Sequence, residues 1–196
     1  KHKGGASILN ARGFIRKLPQ YGLPIATVIL FAFLSFTAPS FLTGYNIQNI
    51  SRQVAALAVA AFGQAIVVIT AGLDLSVGAT MALVSVFFAI GTLKYGMFVG
   101  IIIALAIGLV VGFLNGSIVA RFDISPFIVT MGMASIARGI ALTVTGGTPV
   151  HGMSEGFAEI GVGSFLGIPN PILIAIMAFF VCFFMLMYTR LGRHIY

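Results

Sequence analysis

Long apolar runs separated by short polar or glycine-rich breaks recur along the chain from Leu23 to Tyr188. A helix needs about 20 apolar residues to cross a hydrocarbon layer of about 30 Å. Six stretches approach or meet that length: 23–41, 54–71, 77–93, 97–120, 126–144 and 171–188. Pro24, Pro126 and Pro171 stand at the entries of three of them, where a missing backbone N–H costs little. The pattern predicts an all-α polytopic membrane protein of about six spans. The connections are short apart from a Gly-rich one, 147–170, which holds Glu155 and Glu159 and reads as a loop.

Composition agrees with lipid as the main solvent. Apolar residues make up 59% of the 196, and only 15 residues are charged (11 basic, 4 acidic). An ordinary soluble domain is about 45–50% apolar and about 25% charged. The net charge of +7 does not point to nucleic acid, because the cations form no basic stripe. Their positions instead give an orientation. With the N-terminus inside, Lys1, Lys3, Arg12, Arg16, Lys17, Arg121, Arg190 and Arg193 all lie on the cytoplasmic side. Arg52 and Lys94 then face outward, and Arg138 lies within the fifth span. This is the asymmetry the positive-inside rule demands, so 1–21 reads as a basic cytoplasmic tail and 147–170 as external. A cleavable signal peptide is the competing reading of the first span, but its apolar stretch exceeds the usual h-region of about 7–15 residues.

Several features inside the apolar sequence need partners. Gly100, Ala104, Gly108, Gly112 and Gly116 follow one another at four-residue spacing in the fourth span, a smooth stripe expected to pack closely on another helix. Gln64 lies mid-span and is expected to form an interhelical hydrogen bond. Gly72-Leu73-Asp74-Leu75-Ser76-Val77-Gly78 reads as a helix end followed by a new N-cap, with Asp74 or Ser76 capping the third span. It is either a tight inner turn or a broken helix beside a pathway. Asp74 and Arg138 are the costliest charges to leave bare, and one or both are expected to be neutralised within the bundle.

Chemical motifs are few. Gly152-Met153-Ser154-Glu155-Gly156 matches Gly-x-Ser-x-Gly, with His151 adjacent. That chemistry needs a strand, a sharp elbow and a helix, and no strand is predicted there, so the match reads as chance. No Gly-Lys-Ser/Thr phosphate loop is present, so ATP hydrolysis would fall to a separate chain. His2, His151, His194 and the single Cys182 are too scattered for a metal site. The chain therefore reads as a non-enzyme without a cofactor of its own.

Together these residues resemble a known family, the ribose-type sugar permeases of bacterial binding-protein-dependent ABC importers. The resemblance runs from Phe41-Leu42-Thr43, Asn46, Asn49 and Arg52-Gln53 through Gly72 to Gly78, where the family usually has Ile at the position of Leu73. It continues through Asn115-Gly116, Val119-Ala120, Pro126-Phe127-Ile128-Val129-Thr130 and Ser135-Ile136-Ala137-Arg138-Gly139. Gly147-Thr148-Pro149-Val150, Leu166-Gly167-Ile168-Pro169 and Pro171 follow, and then Thr189 to Tyr196. The resemblance implies a multi-pass protein of the bacterial inner membrane that forms the pathway for a monosaccharide. It implies three partners in the bilayer system: a second permease subunit (identical or related), cytoplasmic ABC ATPases, and a periplasmic or lipid-anchored sugar-binding protein. Gly72, Asp74, Ser76, Gly78, Gln64, Asn115 and Arg138 become candidates for the substrate pathway or its framework. Arg190, Leu191, Gly192 and Arg193 would begin the surface that couples to the ATPase. In the family that loop continues past the position of Tyr196 into further helices, so the chain is expected to be an N-terminal portion or a truncated product, roughly three-fifths of a permease. An ion-coupled secondary transporter is the main rival, weakened by having Asp74 as its one plausible intramembrane acid. A membrane fragment that does not transport is the other.

Overall fold

A computed structural model describes residues 5–153 and 155–195 of the chain, and the side chains from Tyr21 onward apart from Glu155. The helices are α1 (Gly5–Thr37), α2 (Gly44–Ile69), α3 (Val77–Tyr95), α4 (Met97–Phe122), α5 (Pro126–Thr145), α6 (Glu155–Val162), α7 (Asn170–Tyr188) and α8 (Arg190–Ile195). A two-stranded antiparallel hairpin, β1 (Ser164–Phe165) and β2 (Ile168–Pro169), separates α6 from α7. Five helices, α2, α3, α4, α5 and α7, are long and apolar enough to cross a membrane, and Tyr21–Thr37 of α1 is a shorter apolar helix. The protein is a helical, multi-pass membrane protein.

The chain divides into two compact units, 1–50 and 51–196. In the first, α1 stops at Thr37, two residues before Pro39, because the residue preceding a proline is driven out of the helical region. The predicted span 23–41 therefore ends early, and the segment read as a tail is already helical from Gly5. Phe41 returns edge-on to Phe31 at 4.9 Å between centroids, and Asn46 Nδ2 donates to the Phe41 carbonyl at 2.8 Å.

In the second unit α3, α4 and α5 form the packed centre. Gly96 alone joins α3 to α4, with φ +88, a backbone conformation that costs glycine little. Leu83, Val111, Ala137 and Ala141 make the buried core between these helices. At the crossing nearest Gly96, an added Cβ on Gly100 would collide with Thr92 and the Phe88 carbonyl, and one on Gly91 would meet Gly100 Cα at 3.2 Å. The rest of the predicted stripe does not keep this contact. Gly108 has only Val84 in range, and Gly112 and Gly116 are exposed with open space beside them. A four-residue step advances a helix by about 400°, so the stripe drifts by about 40° at each step. The buried side of α4 instead passes from Gly100 to Val111 and Asn115.

The long connection 147–170, read from sequence as a loop, is structured. It carries α6 and the hairpin, whose two-residue turn places Leu166 at φ +51 and Gly167 at φ +79. Two successive positive φ values match the twist of a tight hairpin.

Candidate functional site: a broken backbone clamped by three helices

Between α2 and α3 the chain leaves the helix for seven residues, 70–76. The exit from α2 is a Schellman end: Ala71 N–H donates to the Val68 carbonyl at 3.0 Å, and Gly72 N–H to the Val67 carbonyl at 2.9 Å. Ala71 itself takes the left-handed position, φ +58, normally given to glycine. Gly72 occupies the next one, where a Cβ would press on Val67 Cγ1 and its carbonyl at 3.0 and 3.1 Å. The segment is thus neither a tight turn nor a continuation of helix.

Freed backbone groups at membrane depth must find partners inside the protein. Here the backbone partners come from α2 and α5, and α4 holds the Ser76 side chain. Gln64 of α2 donates its Nε2 hydrogen to the Asp74 carbonyl at 3.2 Å. Thr130 of α5 accepts the Leu75 N–H at Oγ1, 3.1 Å, and its own hydroxyl lies 2.8 Å from the Pro126 carbonyl and 3.2 Å from that of Leu73. Asn115 of α4 donates from Nδ2 to Ser76 Oγ at 3.0 Å. Ser76 in turn donates its hydroxyl to Asp74 Oδ1 at 2.6 Å, and its N–H reaches the same oxygen at 2.7 Å. Ser76, Thr130 and Asn115 are 1%, 3% and 6% exposed. Their polar contacts are therefore sheltered from water and correspondingly strong.

Ser76 is the N-cap residue of α3, but no side-chain hydrogen bond caps that helix. The hydroxyl is turned to Asp74 instead, and Asp74 folds onto Ser76 in a local turn. The carboxylate thus has local partners and forms no ion pair with Arg138, which is exposed on α5 beside buried Ala137. Gly78 is exposed in the first turn of α3. Two amide oxygens near the segment, Gln64 Oε1 and Asn115 Oδ1, are buried without a hydrogen-bond partner among the described residues.

Alongside the segment runs a groove of about 380 Å³ between α2 and α3. Ala56, Ala60 and Gly63 give it a smooth apolar wall, and Gln64 and Asp74 supply its polar end. A second cleft, about 490 Å³ between α3, α4 and α5, is wholly apolar and includes Leu83, Val111 and Ala137. It suits hydrocarbon rather than a polar ligand. Thr130 is the residue sequence reasoning missed. It was legible only as part of a motif, although a threonine four residues inside a proline-started helix can bond the carbonyl of that proline, as it does here.

At the far end, α8 follows α7 after the single extended residue Thr189. Thr189 Oγ1 donates to the Met185 carbonyl at 2.6 Å and accepts the Gly192 N–H at 3.3 Å. Gly192 is buried against the backbone of Leu186, which leaves no room for a side chain. Arg190, Leu191 and Arg193 are exposed on this short helix. In the external connection, Ser154 lies outside the described residues, as does Tyr196 at the end of the chain.

Comparison with known proteins agrees with this architecture. The family described as "Branched-chain amino acid transport system / permease component" matches residues 46–196. The ribose import permease protein RbsC of Escherichia coli (strain K12) is 38% identical over 177 residues, 88% of this chain and 55% of that protein. RbsC of Bacillus subtilis (strain 168) is 39% identical over 189 residues, 94% of this chain and 57% of its own length. The L-arabinose ABC transporter permease protein AraH of Azospirillum brasilense is 35% identical over 187 residues, 94% and 55% respectively. The chain thus spans a little over half the length of these curated relatives. No solved structure matches. A multi-pass helical chain matched over residues 46–196, from α2 through α8, belongs to the permease-component family of binding-protein-dependent transporters, among its sugar permeases.

Proposed function

We propose that this chain contributes the membrane pathway of an ATP-driven importer for a monosaccharide of the ribose type in the bacterial inner membrane. The similarity to ribose import permeases over 88–94% of the chain carries the reading. In it, a sugar-binding protein delivers substrate to the outer face, a second permease subunit completes the pathway, and cytoplasmic ABC ATPases drive it. Arg190, Leu191, Gly192 and Arg193 begin the ATPase-facing surface: a short exposed helix with two cations, directly after a membrane span. Gln64, Asp74, Ser76, Asn115 and Thr130 hold the broken segment as a framework between α2 and α3. Asp74 is already engaged with Ser76, which disfavours the rival role of an acid that binds a coupling ion.

The test is uptake of labelled ribose in cells whose own ribose permease has been deleted and replaced by the protein carrying this chain. Uptake that survives collapse of the proton and sodium gradients but stops when ATP is depleted is the expected result. Uptake that follows the ion gradient while ATP remains high would establish the secondary transporter instead. A second measurement addresses coupling. Arg190→Glu with Arg193→Glu should insert normally yet lose binding-protein-stimulated ATP hydrolysis, and wild-type stimulation would refute the assignment.

A further inference from the structure

Arg52 lies eight residues inside α2, in the half that the cation distribution assigns to the outer side. Its Nη2 donates to the carbonyl of Val162 at 2.6 Å, and Val162 is the last residue of α6. A guanidinium on the final carbonyl of a helix satisfies an acceptor that the helix leaves open and complements the negative end of its dipole. Other contacts hold the same short helix. Phe157 lies 5.2 Å from Phe88 of α3, ring centre to ring centre. Asn170, the first residue of α7, donates Nδ2 to the Glu159 carbonyl at 2.7 Å and its N–H to the Gly163 carbonyl at 3.0 Å.

These contacts fix the height of α6 along α3. Phe88 stands seven residues before Tyr95, the end of α3, which is about 10 Å along a helix axis. The α6 helix therefore lies against the outer part of α3 rather than above it. A connection read from sequence as an external loop folds back against the last two turns of α3.

We propose that Arg52 is a positioning residue that seats α6 as a cover over the outer part of α3, on the face from which substrate enters. The effect on transport rests on the permease reading above; the seating itself does not. Arginine suits the task because its charged, planar head can span from α2 to a helix end while its stem stays among apolar side chains.

This chain contains no tryptophan and one cysteine. In the complete permease, with Cys182→Ser and every cysteine outside this chain also replaced by Ser, Phe88→Cys and Phe157→Cys are joined by a short bifunctional thiol reagent. Separately, with any tryptophan outside this chain replaced by Phe, Phe157→Trp serves as a single fluorophore. With Arg52 present, cross-linking is expected to be efficient and Trp emission blue-shifted. With Arg52→Gln, cross-linking should fall ~10-fold, emission should shift to the red, and sugar uptake should fall ~10-fold at unchanged membrane level and unchanged basal ATPase activity. Arg52→Lys, which keeps the charge and one donor, should lie between. Unchanged cross-linking and emission in Arg52→Gln would overturn the seating. Altered probes with undiminished uptake would overturn its role in transport. A parent protein that takes up no sugar would count against the permease reading, while the two probes would still judge the seating.

Discussion

The two longest breaks between the spans of the second unit solve the same problem in opposite ways. On the side that the cations mark as inner, 70–76 is irregular and exposes Leu73 and Leu75, yet Ser76, Asn115 and Thr130 are nearly inaccessible. Its backbone groups are met by side chains from α2 and α5, and its Ser76 side chain by Asn115 of α4. On the outer side, 147–170 builds its own helix and hairpin and meets most of its backbone needs locally. Few side chains reach it from elsewhere, and its apolar tip is open, with Leu166 87% exposed. The difference is between a break that the bundle specifies and an appendage that largely specifies itself. The first should resist change as part of the core. The second should tolerate change at its exposed hairpin tip at small cost to stability.

Hydrogen exchange should show the largest contrast. Amides of Leu75 and Ser76 should exchange ~100-fold more slowly than those of Gly152 and Met153, because opening them requires parting α5 from the break. Equal rates would erase the distinction. Thr130→Val keeps the shape of the side chain but removes the acceptor for Leu75 N–H. It should destabilise the detergent-solubilised protein by about 1–3 kcal/mol. Asn115→Leu should cost a similar amount, and the pair together less than the sum, since both hold one segment. Additive losses would mean that the contacts act separately. Ala71→Gly relieves a left-handed alanine and should stabilise by about 1 kcal/mol, visible as a higher melting temperature. Asn170→Ala, in the outer connection, should cost about 0.5–1.5 kcal/mol at most, because water can replace its exposed bond to the Glu159 carbonyl. A thermal effect as large as that of Thr130→Val would make the outer connection as integral as the inner break.

The spans after the first were legible because each is a long apolar run closed by Pro, Gly or a charge. The structure moved the ends of α3, α4, α5 and α7 by no more than two residues from the predicted limits. The start of α2 was not legible. It lies at Gly44 rather than residue 54, because polar residues such as Asn46, Asn49 and Arg52 carry no membrane signal yet continue a helix readily. The glycine stripe misled in part, because spacing along the chain does not reveal how far a face rotates away from its neighbour. Within the candidate site, Gln64 and Asp74 stood out as polar residues in apolar surroundings, Ser76 as a candidate cap, and Asn115 through the family resemblance. Thr130 did not, because a threonine can satisfy itself on its own helix, and only the approach of the 73–76 backbone gives it a second task.

The sequence alone determined that lipid surrounds this protein and where most of its helices lie. Those properties follow from transfer free energies and local backbone preferences, which each segment carries by itself. Tertiary structure decided that α4 and α5 supply partners for the break after α2, and that the connection 147–170 folds back along α3. Hydrogen bonds between residues 39 and 55 positions apart, such as Asn115 to Ser76 and Leu75 to Thr130, exist only once the helices have packed. No periodicity or spacing encodes them, because their strength comes from water being excluded by neighbours distant in the chain.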